Sequence, residues 1–344
     1  MKKLLFVCAL LCLPLWSLAA QEEYAASLLK KFTGEVLADR AGISVSSAGD
    51  VNNDGFEDVL VGASSNSDAG AFAGAAYLIY GQAAQLTSAS LSTAVEFTGE
   101  AAGDNAGISV SSAGDVNGDG YDDILIGASG NDDGGDSAGA TYLIYGQAAS
   151  LTSASLSTAV EFSGEAATDL SGDSISLAGD VNGDGYDDIL IGAYNNDNGG
   201  SNAGAAYLIY GQAAQLTSVS LSTAVEFTGE AAGDYAGDSV SSAGDVNNDG
   251  YDDIITGAYG NDDGGSVAGA TYLIYGQQAA LASVSLSTII EFTGEAAGDI
   301  SGFSVSSAGD VNNDGYDDII TGAYGNDDGG SMAGAAFLVY GQTT

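Results

Sequence analysis

The chain has 344 residues, 45% of them hydrophobic and 52 of them glycine, and its five basic residues face 47 acids. Such an acidic chain repels nucleic acid and anionic lipid, yet its apolar content is too high for a disordered polymer. It has no histidine, and its two cysteines, Cys8 and Cys12, both stand near the start.

Taken in chain order, Met1–Lys3 is basic, Leu4–Leu15 is apolar and Ser17-Leu18-Ala19 is a small-residue cleavage site. This pattern predicts a secretory signal peptide over residues 1–19, not a membrane span. The exported chain, 20–344, would keep Lys30, Lys31 and Arg40 against 47 acids, a net charge of −44, with no cysteine left. Disulfides cannot staple such a chain, so bound metal is the available staple.

From Phe32 onward the sequence repeats every 65 residues, as Phe32, Phe97, Phe162, Phe227 and Phe292 show. The units run over about 32–96, 97–161, 162–226, 227–291 and 292–344, with no insertions. Within the second unit Ile108–Ser112 alternates apolar and small polar residues, Ile124–Ala128 and Ala140–Tyr145 are continuous apolar runs, and Ser155–Phe162 is a weaker fourth segment. Strand-length segments rich in Ile, Val, Thr and Tyr between Gly/Asn/Asp clusters predict four short antiparallel strands. Near-continuous apolar runs call for sheets covered on both faces, which radially stacked blades provide and a two-layer sandwich does not. The expected fold is therefore all-β, a β-propeller of five four-stranded blades. Ala26–Glu35 aligns with the fourth strand as it stands in Leu91–Glu100. Residues 26–35 are accordingly expected to complete the last blade and close the ring, an open array of five units being the competing architecture.

Between the first two strands of each unit lies a loop such as Asp115-Val-Asn-Gly-Asp-Gly-Tyr-Asp-Asp123. Positions one, three, five and nine carry side-chain oxygens, and Gly at position six allows a sharp turn. The sets are Asp50, Asn52, Asp54 and Asp58; Asp115, Asn117, Asp119 and Asp123; Asp180, Asn182, Asp184 and Asp188; Asp245, Asn247, Asp249 and Asp253; Asp310, Asn312, Asp314 and Asp318. Hard oxygens at this spacing point to Ca²⁺, up to five ions per chain. An EF-hand is excluded, because its twelfth position needs a bidentate Glu and holds Ile126 here. A metal-free Asx turn would need no third carboxylate. The position-eight acids, Asp122 and its counterparts, are expected to face solvent.

The run AGISVSSAGDVNGDGYDDILIGA followed by AGATYLIYG resembles the FG-GAP repeat, the unit of integrin α heads and of many secreted bacterial proteins. The resemblance covers nearly the whole exported chain. It departs where Phe-Gly becomes Ala106-Gly107, and where Gly-Ala-Pro ends in Ser64, Ser129, Tyr194, Tyr259 or Tyr324. The resemblance implies a calcium-binding propeller and adds a backbone carbonyl ligand at position seven, from Phe56, Tyr121, Tyr186, Tyr251 and Tyr316. Integrin heads have seven blades, whereas this sequence offers five.

In a four-stranded meander the second-to-third and blade-to-blade loops lie opposite the calcium hairpins. They carry Asn131-Asp132-Asp133, Asn196-Asp197, Asn261-Asp262-Asp263 and Asn326-Asp327-Asp328, with Glu100, Asp104, Tyr194, Tyr235, Tyr259 and Tyr324 nearby. Tyrosines among acids suit a basic protein patch or a glycan, although they also serve simply as packing between blades. Without histidine or cysteine no Ser/His/Asp or Cys/His nucleophile can be assembled. Acids repeated equally in every unit do not mark one active site, so no enzyme is expected. The sequence thus predicts a secreted or cell-surface Ca²⁺-binding adhesion module for a protein or glycan, without nucleic acid or membrane insertion. Its rival is a matrix or surface-layer protein that self-associates with calcium.

Overall fold

A computed structural model describes residues 29–343. Among them the regular structure is all β apart from four short 3-10 turns. In the second repeat Ser109–Gly114, Asp123–Ala128 and Ala140–Ile144 form an antiparallel meander, and Val160–Ser163 pairs with the third strand in the register Val160↔Leu143. The fourth segment is interrupted: Ala154–Ser155 is a separate short strand, and a 3-10 turn, Leu156–Thr158, precedes Val160–Ser163. Ser155 caps that turn by accepting from the Ser157 N–H, and Leu156 is buried beneath it. The short strand pairs in parallel with the preceding blade, Ala154↔Phe97 and Ser155↔Thr98. The second, third and fourth blades thereby cover the outer edge of the blade before them, which otherwise would present unpaired backbone groups.

The apolar runs lie where their period predicts. Successive side chains of a strand point to opposite faces. Ile124 and Ile126 accordingly pack with Leu60 and Leu78 of the first blade, while Leu125 packs with Ile189 and Ile191 of the third. The inner strands of the second, third and fourth blades therefore contribute to two interfaces each, whereas Val59 of the first blade and Ile320 of the fifth stay exposed. Backbone approach sets the spacing: a Cβ on Gly127 would lie 2.0 Å from the Gly172 carbonyl oxygen. Only glycine permits that contact. Tyr80, Tyr145 and Tyr210 add a strut, each hydroxyl accepting from the N–H of Leu151, Leu216 or Leu281 one blade on at 2.6–2.8 Å.

The expected ring closure is not seen. Phe32–Thr33 pairs in parallel with Ala89–Ser90, the relation that Val160–Ser163 has to Val219–Ser220. It thus occupies the place of a fourth strand in front of the first blade. Among the described residues no strand pairs with the outer edge of Ala335–Val339, and the fifth sheet has three strands. Among the described residues no strand pairing joins the fifth blade to the first. The signal peptide and Ala26–Leu28 lie outside the described residues. No helix among the described residues is long and apolar enough to cross a membrane.

Candidate metal centres and the opposite face

Five hairpins share one geometry. In the first, Asp50 Oδ1 and Asn52 Oδ1 both accept from the Asp54 N–H, at 2.9 and 3.0 Å, while Asp50 Oδ2 accepts from the Gly55 N–H and Asp54 Oδ1 from the Phe56 N–H. The loops beginning at Asp115, Asp180, Asp245 and Asp310 repeat the shared donor at 2.8–3.0 Å. Oxygens of positions one and three are therefore gathered at one point by the backbone itself. Position four, held by Asn53, Gly118, Gly183, Asn248 or Asn313, has φ between 52° and 71°, and the position-six glycines have φ of 86–94°. Asn and Gly are the residues that accept this left-handed backbone. Such a turn presents hard oxygens suited to a divalent cation.

Position nine, expected as the fourth side-chain ligand, lies near the acids of positions one and five, which act on its carboxyl. Asp58, Asp123, Asp188, Asp253 and Asp318 are fully buried beneath the loops. Asp123 Oδ2 accepts from the Val116 N–H at 3.1 Å and its Oδ1 from the Gly146 N–H at 2.8 Å, locking the hairpin to the end of the third strand. Burial pushes the Asp123 carboxyl up to about 8, against these N–H groups, which pull it down. The same balance takes Asp188 and Asp253 to about 7 and Asp58 to about 6.

The position-eight acids correct the sequence reading. Asp122, expected in solvent, reaches the preceding hairpin and accepts from the Asp50 N–H at 2.7 Å; Asp187, Asp252 and Asp317 do the same to Asp115, Asp180 and Asp245 at 2.8–3.0 Å. Each of the first four hairpins is thus clamped by the next. The position-seven rings follow the same direction, with Tyr186 against Gly118 and Tyr251 against Gly183. A single repeat cannot reveal such contacts, because both partners lie in different copies.

At the other end of the blades stand the acidic loops, as the meander predicts: the Gly130 N–H donates to the Asp104 carbonyl and the Thr168 N–H to that of Asp136. Three carboxylate groups converge here, Glu35 with Asp68 and Glu96, Glu100 with Asp133 and Glu161, and Glu230 with Asp263 and Glu291, the oxygens of each set lying within 4.8 Å of one another. These sets could hold a cation. The buried Asn131 amide donates to Glu100 Oε1 and to the Tyr142 hydroxyl, at 3.1 and 2.9 Å. Glu161 Oε1 and Glu291 Oε1 are buried without a hydrogen-bond partner. Burial, then the neighbouring acids, push both carboxyls up to about 7. In the third blade Asn198 stands at the Asp position, and its amide donates to both Glu165 and Glu226. Sequence reasoning passed over Glu96, Glu161, Glu226 and Glu291, although each is the one charged residue of its fourth strand.

Beside these loops runs a row of five aromatic rings. Tyr194 lies 6.5 Å from Tyr235, Tyr235 stacks on Tyr259 at 4.9 Å and 2°, and Phe303 meets Tyr259 and Tyr324 at 6.0 and 4.7 Å. The tyrosines were expected on this face, and Phe303 was not. Asp173 and Asp238 sit near the row, and burial raises both carboxyls, Asp238 to about 6. Ser64 and Ser129 hold the Tyr194 position in the first two blades, so the row belongs to blades three to five.

The FG-GAP repeat family matches this chain five times, at residues 41–79, 106–144, 171–209, 236–274 and 301–339. Integrin alpha-5 of Xenopus laevis is 32% identical over 194 residues, covering 54% of this chain and 18% of its own length. Integrin alpha-IIb of Mus musculus is 34% identical over 171 residues, 47% of this chain and 16% of the relative. Integrin alpha pat-2 of Caenorhabditis elegans is 34% identical over 179 residues, 48% of this chain and 13% of the relative. The chain thus spans less than a fifth of each of these relatives.

Proposed function

The chain belongs to the FG-GAP repeat family, and from that membership and the geometry of its loops we propose that it is a secreted, non-catalytic adhesion module whose blades are stabilised by Ca²⁺ in the five hairpins. The observation that carries the reading is the shared donor of each loop. One N–H holds two oxygens together in five independent copies, an arrangement a plain turn has no need to repeat. Affinity of the extracellular class, on the order of 10⁻⁴–10⁻³ M, suits sites so exposed. Export is supported by the signal-like residues 1–19. A binding role is supported by the aromatic row, since rigid rings flanked by carboxylates offer stacking area together with hydrogen-bond acceptors. Sugar rings with free hydroxyls, or a protein surface rich in lysine and arginine, fit that chemistry.

Changing Tyr194, Tyr259 and Tyr324 together to Ala is expected to reduce capture on a glycan array or on a basic protein surface by at least about tenfold, since each lost aromatic contact is worth roughly 0.5–1.5 kcal/mol beyond its area. Calcium-dependent melting should change little. If capture survives this change and disappears instead in an Asp119→Ala, Asp184→Ala variant that still folds, the recognition face is the hairpin end.

A further inference from the structure

The five repeats are so alike that their differences are informative. Aligned on Phe32, Phe97, Phe162, Phe227 and Phe292, one column of the second-to-third loop reads Phe72, Ser137, Asn202, Val267 and Met332. One column of the blade-to-blade loop reads Arg40, Asn105, Leu170, Tyr235 and Ile300. Both columns hold five residue types in five copies, and no other column of the unit holds more than three. None of these residues is buried; Phe72 is 57% exposed and Val267 39%. Exposure alone does not produce such variety, because the exposed pair Ser157-Thr158 is unchanged at Ser92-Thr93, Ser222-Thr223 and Ser287-Thr288.

While the side chains differ, the backbone beneath them does not. In every copy φ is 51–56° in the first column and 55–59° in the second. Left-handed backbone suits Gly or Asn and is unfavourable for β-branched residues, yet Val267 and Ile300 adopt it. Hydrogen bonds impose it. The N–H groups of Ser137, Asn202 and Val267 donate to the carboxylates of Asp132, Asp197 and Asp262 at 2.7 Å. The carbonyls of Phe72, Ser137, Asn202 and Val267 accept from the N–H groups of Asn105, Leu170, Tyr235 and Ile300, one blade on, at 3.0–3.2 Å. Each junction between neighbouring blades thus holds one residue of each column, on a platform made without their side chains. Tyr235 also belongs to the aromatic row, so the columns border that row.

We propose that these two columns are the specificity-determining positions of the acidic end, and that their partner is a protein segment with apolar side chains flanked by lysine or arginine. The inference rests on reading that end as the recognition face and narrows its partner. Leu170, Val267, Ile300 and Met332 offer neither a ring to stack on a sugar nor a polar atom to bond its hydroxyls, whereas aliphatic surface buries well against apolar side chains. Asp132, Asp133, Asp262 and Asp263 are exposed in the same loops and favour cationic flanks. A backbone already fixed before binding lowers the ordering cost of the contact.

Short random peptides displayed on phage, selected on the full exported chain in Ca²⁺, provide the probe. Selected peptides should carry apolar residues between lysines or arginines. The test variant combines Phe72→Ser, Leu170→Asn, Val267→Ser and Ile300→Asn, residues that other copies already hold at these places as Ser137 and Asn105. It should bind the same peptides at least about tenfold more weakly, as expected when central contacts of a binding surface are lost. Its melting should stay level or rise, because strained left-handed positions are relieved. Peptides that bind this variant as well as wild type, but are lost on changing Tyr194, Tyr259 and Tyr324 to Ala, overturn the inference and leave the recognition face in place. Peptides indifferent to both sets overturn the face as well. Capture of glycans on an array with no peptide selected assigns the face to sugars and overturns the protein partner; capture of neither overturns both readings. A variant whose melting falls makes the columns packing positions and equally overturns the inference.

Discussion

Removing divalent cation with a chelator is expected to lower the melting temperature by about 10–20 °C. With about 10 mM Ca²⁺ and a Kd on the order of 10⁻³ to 10⁻⁴ M, a site that binds only the folded state adds RT ln(1 + [L]/Kd), roughly 1.4 to 2.7 kcal/mol. Five such sites add about 7–14 kcal/mol, comparable to the whole stability of an ordinary domain. An unfolding entropy of roughly 2.1 cal/mol/K per residue converts this to the stated shift. The chelated protein should also depend on pH in a set direction. Asp123 rises from an ordinary 3.8 to about 8 in the folded chain, so the folded state holds its proton more tightly than the unfolded one. Stability is therefore fully present at low pH and is lost as pH rises from about 4 to about 8. Asp188 and Asp253, at about 7, act in the same window. In chelator the melt should be higher at pH 5.5 than at pH 8, and Ca²⁺ should shrink that difference. Superimposable melts with and without chelator at pH 8 would count against the hairpins as metal centres.

The second large effect belongs to the blade interface. On Gly192 a Cβ would sit 2.0 Å from the carbonyl oxygen of Gly237, and backbone cannot swing aside as a side chain can. Gly192→Ala is expected to cost about 3 kcal/mol or more, the upper range of overpacking. Stability in a repeat array resides largely in nearest-neighbour interfaces. The change should therefore split unfolding into two transitions, one for each side of the third-to-fourth blade contact. Differential scanning calorimetry would show this, and a single unshifted peak would contradict the packing described here. Gly322→Ala, with no backbone carbonyl close by, serves as the neutral comparison in the same experiment.

Much of this architecture was legible in the residues because it repeats. The runs Ile124–Ala128 and Ala140–Tyr145 have strand length and no polar face, which fixed a covered sheet, and the structure buries them on both sides. The Asp115–Asp123 spacing likewise located the hairpin and its left-handed turn. What escaped were contacts made between copies. Asp122 reads as one more surface acid until the neighbouring Asp50 N–H is placed beside it, and Glu161 reads as a lone strand residue until Glu100 and Asp133 close around it. The fourth segment was drawn as one strand because Leu156-Ser157-Thr158 has no Gly or Pro to announce its turn; the break comes from Ser155 capping it. Ring closure was inferred from the match of Ala26–Glu35 to an internal strand, and sequence likeness of that kind names a slot in a blade without saying which molecule fills it.

Equilibrium calcium binding to the purified chain tests the central claim most directly. Counted by dialysis against labelled Ca²⁺ at pH 7.5, the account predicts five ions per chain, falling to four in an Asp115→Ala, Asp119→Ala variant and unchanged in Glu161→Gln. Absence of binding at millimolar Ca²⁺, or five ions retained by the hairpin variant with loss on Glu161→Gln, would contradict it.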